Sequence, residues 1–253
     1  LGIIGNPVSH SRSPLIHNGW LRDAGLHAVY IPFLVDEPKA FFRIAEELPV
    51  DGFSVTVPHK QAVISELDEV EPAVKKIGAC NTVYRGPAGW HGTNTDYEGF
   101  LAPLCGLLKA GTVRNCLVIG AGGAARTAVH ALNDRGVEVS VCNRTLEKAE
   151  RLAAEIGCVA LSLGRASESG PYDLIVQTTS VGMEPHTEDD PLPSYRFSGD
   201  ETVYDIIYTP EVTRFMQRAR EIGCRTIGGA EMLRTQAEAQ FRIFTGGPSP
   251  RGR

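Results

Sequence analysis

The sequence predicts an α/β protein of two domains, and three observations carry that expectation. Apolar runs that read as strands alternate from end to end with amphipathic helical stretches, the rhythm of layered sheets with largely parallel strands. At 253 residues with 42% apolar content, the chain can give each of two modest domains a core of its own. Near residue 100 the pattern changes, and beyond it becomes strictly strand, glycine-rich turn, helix, strand.

In the first hundred residues, strands are expected at Leu1–Ile4, Ala28–Val35 and Phe53–Thr56. Asn81–Tyr84 and Trp90–Gly92 are expected to pair across the turn Arg85-Gly-Pro-Ala-Gly89. Helices are expected after Ser13-Pro14, near Glu37 and after His59, and the stretch Tyr97–Leu108 reads as a helix leading into a linker that contains Gly111. A domain boundary near residue 100 then divides the chain into 1–100 and 101–229. In the second half, Cys116–Ile119, Val137–Cys142, Asp173–Gln177 and Val203–Ile207 read as buried strands, with a helix through Arg126–Leu132.

Composition excludes several classes of function. A net charge of −5 without a cluster of Lys or Arg argues against nucleic acid, which requires a basic face. No apolar run approaches the roughly 20 residues that cross a bilayer, and no charged-then-apolar leader is visible. A soluble, cytoplasmic protein is expected, as a monomer or homodimer. The six cysteines are dispersed without a C-x-x-C pair, which predicts buried, reduced thiols rather than disulfides. Leu1 is not a methionine and opens directly into a strand. A piece of a longer chain and a trimmed start both account for that.

The segment Gly52-Phe-Ser-Val-Thr-Val-Pro-His-Lys60 delivers an amine to the end of an apolar run that a proline stops. Gly78-Ala-Cys-Asn-Thr82 and Gly92-Thr-Asn-Thr-Asp96 follow it, so an amine, two amides, several hydroxyls and a carboxylate are available to a small polyhydroxylated substrate and one proton transfer. One proton transfer requires an acid or base on the reacting oxygen, and Lys60 and Asp96, the amine and the carboxylate of these segments, are the candidates. A lysine after a strand is ordinarily solvated, and an Asp before a helix ordinarily an N-cap, a role Asp96 can hold as well. His10, His17 and His59 lie near these residues in sequence, but their flanks lack a metal-ligand pattern, so no metal is expected.

Cys116-Leu-Val-Ile119 feeds Gly120-Ala-Gly-Gly-Ala-Ala125, which satisfies the G-x-G-x-x-G/A spacing between a strand and a helix. Gly120, Ala121, Gly122, Gly123 and Ala124 are therefore expected to bring backbone N–H groups and a helix start to a pyrophosphate. The second strand ends in Asn143-Arg-Thr145, where an NAD site usually carries an acid. Arg144 can pair with a 2′-phosphate in bidentate fashion while Asn143 and Thr145 add neutral hydrogen bonds, which predicts NADP. The loop Thr178-Thr-Ser-Val-Gly-Met183 follows another buried strand, and Thr179 is expected along the nicotinamide or ribose. Tyr208, after the strand at 203–207, could close over a substrate or pack, and both readings stand.

Assembled, these motifs resemble shikimate dehydrogenase along nearly the whole chain. The resemblance is carried by Gly5-Asn-Pro-Val-Ser-His-Ser-Arg-Ser-Pro-Leu-Ile-His-Asn18, Ser54-Val-Thr-Val-Pro-His-Lys60, Gly78-Ala-Cys-Asn-Thr82 and Asn94-Thr-Asp96. Gly120-Ala-Gly-Gly-Ala-Ala-Arg126, Asn143-Arg-Thr145, Thr179-Ser-Val-Gly-Met183 and Met232-Leu-Arg-Thr-Gln236 complete it. It implies NADP-dependent interconversion of 3-dehydroshikimate and shikimate, on the route to chorismate and aromatic amino acids, and a Rossmann fold for the second domain. It also implies that Ser11 and Ser13 hold the substrate carboxylate, that Thr56, Asn81, Asp96 and Gln236 hold ring hydroxyls, and that Lys60 and Asp96 are the catalytic pair. Tyr208 joins the substrate residues and Gly229 the cofactor residues. The last helix, Ala230–Phe244, is implied to return to the first domain, with the active site in the cleft between the domains. Ser54 departs from the Asn of most bacterial members, and this version looks more like the dehydrogenase half of chains fused to a dehydroquinate dehydratase. Rival readings are a dehydrogenase that prefers quinate, a non-catalytic NADP sensor, for which Lys60 and Asp96 are superfluous, and a two-domain folate dehydrogenase.

Overall fold

The alternation of side chains along strands Gly2–Gly5 (β1), Ile31–Leu34 (β2) and Gly52–Val55 (β3) builds the first sheet, with α1 (Ser13–Asp23) and α2 (Pro38–Glu47) as connections. A computed structural model of the protein describes Leu1–Gly247 and Ser249. β1 pairs in parallel with both β2 and β3, so Ile3 lies opposite Ser54 and Ile4 opposite Val55. Successive residues face opposite sides of a sheet. Ile4, Phe53 and Val55 therefore enter one core with Phe41, Phe42 and Trp90, whose rings meet edge to face, while Ile3 enters another with Leu21, Tyr30 and Phe241. Ser54 is a polar residue on that second face.

The remainder of the first sheet is not parallel. β4 (Glu69–Val70) and α3 (Pro72–Ile77) precede a hairpin of β5 (Thr82–Gly86) and β6 (Gly89–Thr93), and β5 runs antiparallel to both β3 and β6. The order is β2-β1-β3-β5-β6-β4, a mixed sheet where a largely parallel one was expected. A hairpin needs only a short turn, so the two-strand return costs no crossover helix. It has a chemical consequence, since the start of β5 and the end of β6 fall at the same edge as the ends of β1 and β3.

From Asp96 the chain enters α4 (Asp96–Leu101), α5 (Cys105–Lys109) and then β7 (Asn115–Ile119), α6 (Gly123–Asn133) and β8 (Glu138–Cys142). α7 (Leu146–Ile156), β9 (Val159–Leu161), α8 (Leu163–Glu168), β10 (Leu174–Gln177) and β11 (Thr202–Asp205) follow, then α9 (Arg214–Ile222) and β12 (Arg225–Ile227). All six strands are parallel in the order β12-β11-β10-β7-β8-β9. β7 and β10 are central neighbours whose connections leave in opposite directions, the switch point at which open α/β sheets bind ligands. The helix expected over Tyr97–Leu108 is broken by a 3₁₀ turn at Ala102–Leu104, which contains Pro103.

The chain divides into Leu1–Asp96, joined by the segment from Arg234 onward, and Tyr97–Leu233. α10 (Ala230–Thr245) spans the second crossing. Its return is fixed by Phe241, fully buried beside Tyr30, and by Phe244, which approaches Gly52 so closely that a side chain at 52 would collide with its ring. Among the described residues no helix is long and apolar enough to cross a membrane. All six cysteines are free, four of them buried; Cys105 is exposed, against the expectation of uniformly buried thiols, because α5 buries none of its residues.

Candidate active site and cofactor site

Lys60 reaches the site through a tight turn rather than a helix. Only a 3₁₀ turn, Ala62–Glu66, forms where a helix was expected after His59, and the Cys80 amide donates to the Lys60 carbonyl at 2.7 Å. The Lys60 side chain is 18% exposed and its Nζ donates to Asp96 Oδ2 at 2.6 Å, with the carboxylate 6% exposed. Asp96 is not an N-cap. It is the first residue of α4, so the cap position falls to Thr95, and both carboxylate oxygens are engaged by side chains: Asn81 Nδ2 donates to Oδ1 at 2.9 Å. A buried carboxylate satisfied on both oxygens by fixed donors is held as an acceptor.

Asn81 is oriented without ambiguity. Its Oδ1 accepts from the Thr95 amide at 2.8 Å and from the Thr82 hydroxyl at 2.8 Å, and a backbone N–H can only donate, so Nδ2 must face Asp96. Gln236 joins the group with its Oε1 3.4 Å from Asn81 Nδ2. Thr56 follows β3, with its amide donating to the Ile4 carbonyl at 2.9 Å. The Ser11 hydroxyl accepts the Ser13 amide at 3.2 Å, at the start of α1. Ser13 is buried, and its side chain reaches the Tyr30 hydroxyl. Lys60, Asp96, Asn81 and Gln236 thus form one contiguous group. Thr56 sits at the end of β3, and Ser11 and Ser13 in the connection from the neighbouring β1 to α1 and at the start of that helix.

The cofactor candidates lie in the second unit. Gly120 has φ +123°, and a Cβ there would collide with Thr178 Oγ1, so only glycine permits the approach of the loop after β10. Its neighbour Gly122 is the N-cap of α6 with no side-chain cap, and a Cβ built on it meets nothing within 4 Å. Open N–H groups at a helix start, faced by free space, fit a pyrophosphate. Thr179 is held above this turn by its amide, which donates to Gln177 Oε1 at 2.9 Å, and by its hydroxyl, which accepts from the Val181 amide at 3.2 Å. At the end of β8 no acid is present: Asn143 Nδ2 donates to the Thr145 carbonyl at 2.9 Å, shaping a turn from which Arg144 projects into solvent. These residues fit a 2′-phosphorylated dinucleotide. Lys148, exposed one turn into α7, is a second cation near Arg144 in sequence that sequence reasoning passed over.

Two further expected site residues, Gly229 and Tyr208, lie in the second unit. Gly229 donates to the Ile207 carbonyl at 3.1 Å, and a Cβ there would collide with the Ile206 carbonyl oxygen. Its glycine is explained by packing against that loop. Tyr208 lies on the same loop, half-buried, in the second unit. Sequence reasoning also missed Tyr30, Ser54, Thr82, Thr95 and Gln240 as partners of the site. For Gln240 a signal existed, since it follows Gln236 by one helical turn and shares its face.

The fold and these two groups of residues place the chain in the class of dinucleotide-dependent oxidoreductases. Residues 3–83 match the model of the shikimate dehydrogenase substrate binding domain, and residues 108–182 that of shikimate / quinate 5-dehydrogenase. The chain belongs to the shikimate dehydrogenase family. Shikimate dehydrogenase (NADP(+)) of Bacillus cereus (strain G9842) is 40% identical over 254 residues, covering 97% of this chain and 92% of that protein. The bifunctional 3-dehydroquinate dehydratase/shikimate dehydrogenase, chloroplastic, of Arabidopsis thaliana is 38% identical over 99% of this chain, which spans 44% of that protein's length. Shikimate 5-dehydrogenase of Thermus thermophilus, solved in complex with NADP(H) and shikimate, superposes with a TM-score of 0.83 at 35% identity, covering 98% of this chain and 94% of that one.

Proposed function

We propose that the chain catalyses the NADP-dependent, reversible reduction of 3-dehydroshikimate to shikimate. The observation that supports this reading most strongly is the buried Lys60–Asp96 pair at 2.6 Å, with Asn81 and Gln236 beside it. The bound nicotinamide supplies or accepts the hydride. Everything else falls to side chains of the first unit. Lys60 directs an ammonium N–H at the ring oxygen that changes between ketone and alcohol, polarising the carbonyl and delivering its proton. Asp96 accepts from Lys60 on one oxygen and is fixed by Asn81 on the other, so the amine is aimed before substrate arrives. In this reading Ser11 and Ser13 receive the carboxylate, and Thr56, Asn81 and Gln236 the ring hydroxyls. Gly120 to Ala124, Thr179 and the Asn143-Arg-Thr145 turn serve the cofactor.

The test uses purified protein. Shikimate with NADP should give NADPH fluorescence, and Lys60→Ala should lower kcat by roughly 10²- to 10⁴-fold with NADP affinity retained. Unchanged turnover in that variant refutes the assignment. The matched family model names quinate as well as shikimate, so quinate is assayed in parallel; a higher kcat/KM for quinate would replace the substrate. The Ser54 form of the motif and the similarity to the Arabidopsis thaliana protein support a dehydrogenase domain joined to a dehydroquinate dehydratase. Sequencing the gene upstream of Leu1 decides it: an in-frame dehydratase supports that reading, and a start codon at Leu1 removes it.

A further inference from the structure

Behind the Lys60–Asp96 pair runs a chain of buried hydrogen bonds whose direction can be worked out link by link. Gln240 lies on α10, is 1% exposed, and its side-chain nitrogen donates to the Asn81 carbonyl at 3.1 Å and to Thr82 Oγ1 at 3.0 Å. A carbonyl only accepts, so the Gln240 nitrogen is fixed on that side and its oxygen must face Ser54, 2.7 Å away. Ser54 has a single proton. It is committed to Gln240, so the 2.6 Å contact between Ser54 and Tyr30 must be donated by the Tyr30 hydroxyl. Thr82, receiving from Gln240, passes its own proton to Asn81 Oδ1 at 2.8 Å. Asn81 in turn donates to Asp96.

Every donor therefore points the same way: Tyr30 to Ser54 to Gln240 to Thr82 to Asn81 to Asp96, with Lys60 arriving at the other carboxylate oxygen. Chains of hydrogen bonds in a low-dielectric interior polarise one another, and a run with one direction ending on a carboxylate sums its dipoles at that carboxylate. Ser54, Gln240, Thr82 and Tyr30 are buried. Burial also pushes the Tyr30 phenol above its ordinary range, although Ser54 and Ser13 offset part of this, so Tyr30 enters the chain as a neutral donor. The link through Ser54 and Gln240 joins residues 186 positions apart, from the middle of the first sheet to the returning helix.

We infer that Ser54 and Gln240 are positioning residues for the reaction, holding Asn81, and through it Asp96 and Lys60, in register by a unidirectional hydrogen-bond chain from Tyr30. The inference rests on the reading of Lys60 and Asp96 as the catalytic pair. Ser54 Oγ bridges the Tyr30 hydroxyl to Gln240 Oε1, so removing it takes the acceptor from Tyr30 and the donor from Gln240 Oε1 and loosens the Gln240 side chain, while leaving every residue of the pair and of the substrate group in place. A displaced catalytic group of this kind lowers turnover more than binding.

The test compares wild type, Ser54→Ala, Gln240→Met and the double variant Tyr30→Phe/Ser54→Ala, following shikimate oxidation, thermal melting and water exchange of the Asn81 side-chain amide by NMR. Expected for Ser54→Ala and Gln240→Met is a kcat lowered roughly 10- to 100-fold with KM for shikimate within about threefold, and faster exchange of the Asn81 amide. Tyr30→Phe removes the hydroxyl that loses its Ser54 acceptor in Ser54→Ala. The double variant should therefore regain melting temperature without regaining kcat. Recovery of kcat along with melting temperature would reduce Ser54 to a structural residue and overturn the inference. So would an unchanged kcat and an unchanged Asn81 amide in Ser54→Ala. If wild type does not oxidise shikimate, the functional reading fails by itself, and the Asn81 amide still decides whether the chain reaches two links beyond Gln240.

Discussion

Acidification should weaken the first unit through one side chain, His17. The imidazole is fully buried on α1, stacked on Tyr30 at 4.3 Å between ring centroids, and neither ring nitrogen has a well-aligned hydrogen-bond partner. Burial pushes it down to about 4, with the nearby Gln240 amide offsetting part of the shift. A histidine whose pKa is depressed in the folded state contributes stability present above its unfolded value of about 6.5, and that contribution is lost as pH falls toward the folded one. Between pH 7 and pH 5 the unfolded chain takes up a proton that the folded site refuses. Linkage converts this into a loss of roughly 2 kcal/mol. His17→Phe keeps an aromatic ring against Tyr30 and removes the titration. Hydrogen exchange of the β1 and β3 amides, measured at pH 7 and pH 5 and corrected for intrinsic rates, reports the local unfolding free energy. The wild type should lose roughly 2 kcal/mol more than His17→Phe over that interval. Equal losses in the two proteins would refute the argument, because every other titrating group is common to both.

The second unit should respond to pH with the opposite sign. Asp205 is buried at the end of β11, and burial pushes its carboxyl up to about 7 even though it accepts from the Ile207 amide at 3.0 Å and the Thr213 hydroxyl at 2.7 Å. A raised carboxyl favours the fold below its unfolded pKa, and the benefit disappears as pH rises through the folded value. The β10 and β11 amides should therefore lose roughly 2–3 kcal/mol between pH 5 and pH 8, and Asp205→Asn should abolish that slope; a slope that survives the substitution rules the carboxyl out. For the cofactor site, Arg144→Ala should weaken NADP roughly 10- to 100-fold, the value of one or two charge-assisted hydrogen bonds, while NAD binding changes little. Parallel changes in both affinities would show that Arg144 does not read the 2′-phosphate.

The parts of the site that were legible in the sequence are those whose geometry is local. A glycine run between an apolar strand and a helix dictates its own turn, and Gly120 at φ +123° pressed against Thr178 is the structural counterpart of that pattern. Lys60, Asn81 and Asp96 were visible as polar residues ending apolar runs. Their convergence required only that β5 start and β6 end at the edge where β3 ends, and an expected hairpin at 81–92 supplied it. The sheet's last strand was less legible, because the two-residue β4 and its parallel pairing with β6 leave almost no trace in composition. The cap role weighed for Asp96 falls one position earlier, since Asp96 is the first residue of α4, and boundaries of that kind turn on single hydrogen bonds.

What the sequence concealed is the support beneath the pair, and the reason is distance along the chain. Ser54 reads as an ordinary small residue inside a strand, since its partner Gln240 is 186 positions away and no local pattern links them. Its face is set by the register that puts Ser54 opposite Ile3, and Gln240 meets it only because Phe241 and Phe244 seat α10 against that face. Apolar packing thus decides where the helix lies, and the hydrogen bonds then decide which way its amide points. The two requirements are separable. A Gln240→Met chain retains the seating of α10 and forfeits the amide's hydrogen bonds to Ser54, Asn81 and Thr82, so its effect on turnover isolates the polar half of the design from the apolar half.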